Sequence, residues 1–269
     1  MQYDPIKKSL GNIFNRTPAL RILFYRLLDL LLLRSWHIRR ELRQLKAGGF
    51  SPAQIADAGS GFGQYVYYLS KQFPQATIRG LDIKQEQVND CNTFFAKIGK
   101  GDRIVFQYAD LTRLDIAETF DLILCVDVME HIEEDWQVLK NYNNALKPGG
   151  VLLISTPSDQ GGSDVHHEHD ASFIDEHVRD GYGREEMKEK LQGAGFQENH
   201  IRYSYGRPGK LSWKLSMKYP IQVVNVSKIF LILLPFYYLL VYPICFFLNI
   251  SDVRRSHSTG TGLIVVSKK

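Results

Sequence analysis

Cysteine is scarce in this chain. The only three, Cys91, Cys125 and Cys245, lie far apart among 269 residues with no C-x-x-C spacing. Such a set builds no disulfide framework and fits a reducing compartment. Cys125 sits in an apolar run and reads as a packing residue. Residues 1–9 lack an apolar run followed by a small-residue cleavage site, so no signal peptide is expected. Acidic residues are short at one end: residues 1–46 hold ten Lys/Arg against three Asp/Glu. The chain as a whole carries a formal net charge of only +4, so everything after that arm is net acidic by three. Basic character confined to one arm points to an anionic neighbour, a membrane or a nucleic acid. A further absence separates the two: residues 229–248 run for twenty positions without a charge or an amide. With 44% hydrophobic residues the rest is ordinary for one large globular domain with an insertion.

What the chain does hold is organised around Ile55-Ala56-Asp57-Ala58-Gly59-Ser60-Gly61-Phe62-Gly63. A short apolar run stops at three alternating glycines and a helix-compatible segment follows, which predicts strand, tight turn and helix. Glycine suits such a turn because the backbone takes positive φ and a ligand can approach where no Cβ stands. The helix start adds free N–H groups and the positive end of its dipole. Dinucleotide sites use G-x-G-x-x-G around a pyrophosphate. Here Gln64 stands where that spacing needs its third glycine, and Asp57 would repel a pyrophosphate but suit a cationic or amine-bearing ligand.

The stretch resembles the first motif, D/E-x-G-x-G-x-G, of the class I S-adenosylmethionine-dependent methyltransferases. The resemblance implies that Asp57, Gly59, Ser60, Gly61 and Gly63 pack against the methionine and ribose portions of that cofactor. Short apolar runs at residues 54–58, 76–81, 103–108, 120–126 and 151–155, mostly separated by helical stretches, force parallel neighbours with right-handed crossovers. The expected fold is α/β, a Rossmann-like, seven-stranded, doubly wound sheet, with ligands beyond the carboxyl ends of its strands. Asp57, Asp82, Asp110 and Asp127 all fall at or near those ends. The resemblance gives Asp82 the ribose hydroxyls, Ile83 one face of adenine and Asp110-Leu111 the adenine amino group. Phe120 to Asp127 and Leu146-Lys147-Pro148-Gly149-Gly150-Val151 match the later motifs, so that the likeness covers roughly residues 52–206.

Methyl transfer from a sulfonium is an in-line displacement, to which a protein contributes alignment, exclusion of water and, for a hydroxyl nucleophile, a base. Asp127-Val128-Met129-Glu130-His131 follows the fourth strand, where the fold faces the methyl group. His131 is the candidate base, with Glu130 beside it; alternatively the pair caps the next helix and orients the loop. Ubiquinone-biosynthesis and small-RNA methyltransferases look similar, holding a divalent cation with E-x-x-E-H and a later histidine. This chain has Asp127 in place of the first Glu, and His166, His167, His169 and His177 further on. A cation there would lower the acceptor hydroxyl's pKa. Residues 161–170 read instead as a polar loop with solvated histidines, and no metal ligand is assigned.

The ends divide the chain into three: a basic, apolar helical arm at 1–50, a methyltransferase domain at 51–206 and 257–269, and an apolar helical insertion at 207–256. Residues 18–34 predict a helix, continued to Lys46 and stopped by Gly48-Gly49, that either caps the domain or lies on a membrane with Arg21, Arg26 and Arg34 at headgroup level. By length, residues 229–248 could span a bilayer. A single crossing, however, would separate the strand at 261–267 from its sheet. Pro235 and Pro243 therefore predict two short helices in a hairpin that enters and leaves on one side. Lys210, Lys214, Lys218 and Lys228, Arg254 and Arg255, and Trp213, Tyr237, Tyr238 and Tyr242 supply interfacial anchors. A hydrophobic lid over the active site is the soluble alternative. The expected protein is cytoplasmic, peripheral or monotopic at a membrane, and methylates a lipophilic small molecule on oxygen. Carbon methylation of a quinone-type ring, or a non-enzymatic membrane module that kept the cofactor fold, are its rivals. Nucleic acid is not an expected partner, since the basic arm is interleaved with leucines.

Overall fold

A computed structural model of the chain describes residues 17–161 and 178–269. Two helices, α1 (Pro18–Leu31) and α2 (Leu33–Ala47), precede seven strands: β1 (Gln54–Ala58), β2 (Thr77–Asp82), β3 (Ile104–Tyr108), β4 (Phe120–Val126), β5 (Leu146–Pro157), β6 (Glu198–Ser204) and β7 (Gly262–Lys268). They form a single sheet in the order β3-β2-β1-β4-β5-β7-β6. The first five are parallel, and β7 runs antiparallel between β5 and β6. The crossovers carry α3 (Gln64–Gln72), α4 (Gln85–Lys97), α5 (Asp135–Ala145) and α6 (Arg184–Gly193).

The central strands are mostly apolar because both faces are covered. Ile55, Ile78, Leu122, Leu124 and Ile264 face the side packed by α3 and α4, where Tyr25 of α1 and Ile38 and Leu42 of α2 join the same buried cluster. Ala56, Leu81, Ile123, Leu152 and Val265 face the opposite side, with Val138 and Tyr142 of α5 and Met187 and Leu191 of α6. The N-terminal helices are thus one layer of the domain.

Two expectations about helices need correction. The segment at 18–46 is not one helix but two, broken at Leu32, which is extended at φ −87°, ψ 109°. Arg21 is buried, at 2% exposure, whereas Leu23, Leu27 and Leu30 face outward. Arg21 and Arg34 therefore point at the domain and not at headgroup level.

In the insertion, α7 (Arg207–Trp213), a π-helical turn (Lys214–Lys218) and α8 (Tyr219–Val226) run on without a break; a 3-10 turn (Lys228–Ile232) then leads to α9 (Leu234–Arg254). The hairpin exists, but its bend precedes both prolines. Pro235 occupies the first turn of α9, where no N–H is missed, and Pro243 is absorbed inside one 21-residue helix. Among the described residues α9 is the one helix long and apolar enough to cross a membrane, and only 11% of its apolar window is buried.

A buried polar seam fastens α9 to the domain. Asp252 accepts hydrogen bonds from His37 Nε2 at 2.9 Å and from the amides of Gly209 at 2.9 Å and Tyr205 at 3.2 Å. Arg202 of β6 donates to His37 Nδ1 at 2.9 Å and to Glu41 at 2.8 Å. His37 is thereby held as the neutral Nε2–H tautomer, and burial, with Arg202 added, pushes its pKa down.

Candidate active site

The turn after β1 is tied down by its neighbour: the amides of Gly59 and Ser60 both donate to the carbonyl of Leu81 in β2, at 2.8 and 3.0 Å. Gly59, Gly61 and Gly63 all have positive φ, at 75°, 50° and 84°. At Gly59 shape matters as well, since a Cβ would stand 2.2 Å from Val128 Cγ2. Asp82, ending β2, accepts the Gly61 amide at 2.8 Å on one oxygen and the Lys84 amide at 2.8 Å on the other. Ile83 beside it is exposed, as a surface for a planar ring requires. Asp110 caps the 3-10 turn after β3 through Thr112, whose hydroxyl and amide hold its carboxyl below the usual range. Leu111 turns its side chain into the core. Asp57, the glycine turn, Asp82, Ile83, Asp110 and Asp127 therefore line the carboxyl edge of four adjacent strands.

Two buried polar atoms on that edge have no partner, Asp57 Oδ2 and Ser60 Oγ. Burial, then the neighbouring Asp82 charge, pushes the Asp57 carboxyl up to about 8. A pair of carboxylates sharing so little solvent favours a cation between or beside them. The donor set fits S-adenosylmethionine: acids for ribose hydroxyls and an amine, an apolar ledge for a base, and glycines that leave room.

Beyond β4 the chain does not enter an α-helix directly. Asp127 is itself in the left-handed region, at φ 52°. Residues Met129–His131 form a 3-10 turn that sends Glu130 inward and His131 outward. Glu130 is 1% exposed and accepts from Thr156 Oγ1 at 3.1 Å; burial, then Asp127, pushes it up to about 8. Its position therefore favours a structural proton holder over a group that meets solvent. Asp127, Glu130 and His131 do not converge as ligands, and among the described residues no three His, Cys, Asp or Glu side chains do. His166, His167, His169 and His177 lie outside the described residues.

Several participants carry no motif. Arg34 pairs with Asp127, and its own amide donates to the Tyr205 hydroxyl at 3.0 Å. Although burial opposes it, Asp127, with Tyr65 and Tyr205, holds the Arg34 guanidinium above its ordinary value. Burial pushes the Tyr65 phenol up to about 12, so it stays neutral and able to donate. Tyr205 sits at φ 54°, an unusual conformation for a bulky residue, where β6 hands over to the insertion. On the other flank Arg21 donates to the Phe62 carbonyl at 2.7 Å and to Asp90 at 2.5 Å, and the Tyr25 hydroxyl donates to the same carbonyl. Helix α1 thus clamps the glycine turn. In the sequence Arg21 and Arg34 were only the polar side of a helix; Phe62 and Tyr205, which they meet, lie 41 and 171 positions away.

A glycine turn over an acid-tipped second strand, in a doubly wound sheet finished by an antiparallel hairpin, defines a nucleoside-cofactor fold. Comparison with known proteins narrows the class. The family described as Methyltransferase domain matches residues 56–154. Phosphoethanolamine N-methyltransferase 1 of Triticum aestivum is 30% identical over 158 residues, 57% of this chain and 29% of that protein. A ubiquinone biosynthesis O-methyltransferase of Haemophilus ducreyi is 30% identical over 134 residues, 45% of this chain and 53% of that one. Among solved structures, phosphoethanolamine N-methyltransferase 2 of Haemonchus contortus, in complex with S-adenosyl-L-methionine, aligns with a TM-score of 0.60 at 18% identity, over 91% of this chain and 60% of that one. An S-adenosylmethionine-dependent methyltransferase of Mesorhizobium loti aligns at 0.55 and 16%, over 88% and 100%. Residues 56–154 thus match the methyltransferase domain family, and the fold is the Rossmann-like fold of the class I S-adenosylmethionine-dependent methyltransferases. The chain spans 27% to 53% of the length of eight curated relatives that it matches.

Proposed function

We propose that the protein transfers a methyl group from S-adenosylmethionine to an oxygen of a lipophilic small molecule, working at the cytoplasmic face of a membrane. One observation carries this reading: the apolar insertion leaves and rejoins the sheet at the carboxyl edge where Asp57, Asp82, Asp110 and Asp127 stand. Ser204, Gly262 and Pro157 are register partners at the ends of β6, β7 and β5, the same edge as Asp127. An apolar acceptor leaving a bilayer along α9 would meet the site without crossing water.

The cofactor would supply an electrophilic methyl on a sulfonium. Asp82 would hold the ribose, Ile83 and Asp110 would bracket the base, and Asp57 would face the cationic end. Arg34, fixed by Asp127, would orient the acceptor, and His131 at the rim would take the hydroxyl proton.

The test begins with calorimetry of the full chain against S-adenosylmethionine and S-adenosylhomocysteine. Micromolar binding is expected, weakened at least about tenfold in Asp82→Ala, since a bidentate acid-to-ribose contact contributes upwards of 1.4 kcal/mol. No binding by well-folded protein would sink the enzyme reading. A labelled-methyl screen of lipid extracts follows, with His131→Ala alongside. A loss of 10²–10⁴-fold is expected for a general base, and near-normal turnover of that variant would point to carbon as the acceptor atom.

A further inference from the structure

Two apolar stripes are left outward by the fold. On α9, Phe236, Leu239, Leu240, Ile244 and Phe247 follow helical spacing along one face, with Leu239 and Leu240 74% and 75% exposed. On α1, Leu23, Leu27 and Leu30 form a second stripe at i, i+4 and i+7. Between them opens a cavity of about 440 Å³, bordered by Leu30 of the α1 stripe, by Phe246 beside the α9 stripe, and by Arg26, Arg39, Arg43 and Trp36. Trp36 and Phe246 meet edge to face with centroids 5.4 Å apart, so the cavity has an aromatic wall and a basic wall.

The charge balance of the basic wall is uneven. Asp29, its one acid, is already committed: Arg39 pairs with it and Gln64 donates to it at 2.8 Å. Arg39 is further held over the Tyr68 ring at 4.4 Å. Arg43 uses only its Nε, toward the Arg39 carbonyl at 3.1 Å, and Arg26 has no hydrogen-bond or ion-pair partner among the described residues. Two guanidinium groups therefore face a cavity with their terminal nitrogens uncommitted, at the point where two exposed apolar surfaces converge. Guanidinium forks suit the paired oxygens of a phosphate.

We infer that this cavity binds the phosphate headgroup of an anionic phospholipid, whose acyl chains lie along the α1 and α9 stripes. The inference rests on the membrane-facing reading of the insertion and adds to it a lipid class and a site. A neutral, zwitterionic surface would satisfy the stripes alone; only an anionic phosphate also satisfies Arg26 and Arg43. The headgroup would fix the rotation of the domain on the bilayer, because the cavity belongs to both α1, which clamps the glycine turn, and α9.

The test is flotation of the full chain with vesicles of phosphatidylcholine, with and without one quarter phosphatidylglycerol, at physiological ionic strength. Each arginine at an anionic surface strengthens association about fivefold. Arg26→Gln/Arg43→Gln is therefore expected to lose on the order of twentyfold on the mixed vesicles and little on phosphatidylcholine alone. Arg254→Gln/Arg255→Gln, which removes the same charge elsewhere, is expected to lose markedly less. Equal losses in the two double variants, or no preference of the wild type for the anionic vesicles, would overturn the site while leaving membrane association standing. Failure of the wild type to float with either vesicle would instead remove the membrane reading, and the inference with it. Calorimetric binding of glycerol phosphate without any vesicle preference would reassign the cavity to a free phosphate ester and overturn the lipid. Leu239→Glu/Leu240→Glu, checked for unchanged circular dichroism, is expected to lose both vesicle types.

Discussion

Gly59 and Gly61 share a sign of φ but not a reason. A methyl at Gly59 must displace Val128, whereas the nearest atom to one at Gly61 is Gln87 Oε1 at 3.8 Å. Gly61→Ala should therefore cost only the backbone term, about 1–2 kcal/mol. Gly59→Ala adds overpacking of about 1–3 kcal/mol more, and urea denaturation of the two variants would show the gap. Asp57 and Glu130 give the site its pH dependence. Both carboxyls keep their proton in the folded chain up to about pH 8, while the unfolded chain releases it near pH 4. Over that window the folded state binds more protons, so stability falls as pH rises and levels off above it. Denaturation midpoints from pH 5 to 8.5 should follow this slope, and Asp57→Asn and Glu130→Gln should each flatten it. A steeper fall in either variant would show that the retained proton belongs to another group.

At the scale of elements, the seam at Asp252 is the joint between insertion and domain. Asp252→Ala leaves His37, Gly209 and Tyr205 with buried donors and nothing to accept them. The expected cost is about 3–5 kcal/mol, read as a lower urea midpoint, and Asp252→Asn, which keeps an acceptor, should recover part of it. Elements were also where the sequence was most legible. β1 and β4 begin and end at the residues their apolar runs predict, because both are covered on two faces and flanked by turn residues. The glycine turn and its acids were legible because local spacing encodes them. The break at Leu32 was not: no proline or glycine marks it, and the partner of Arg34 just beyond it, Asp127, is distant in sequence. The prolines of α9 misled in the other direction. A proline in a first turn needs no N–H bond, and one on an exposed helical face can be carried by the packing of its neighbours. The inward aim of Arg21 was equally illegible, since a helical wheel shows which residues share a face and not which way the face looks.

For the whole molecule, the seventh strand is the feature with the widest reach. It is encoded after the insertion yet lies inside the sheet, between β5 and β6. During synthesis, β5 and β6 must wait side by side with an empty slot between them while the entire apolar hairpin emerges. Unpaired edges of this kind are prone to capture by other chains. A ribosome-stalled chain ending before Gly262 should accordingly be far more sensitive to protease at residues 198–204 than one carried past Lys268. The hairpin thus reaches the cellular milieu before the sheet is closed, and the order of events at the ribosome is written into the strand order of the sheet.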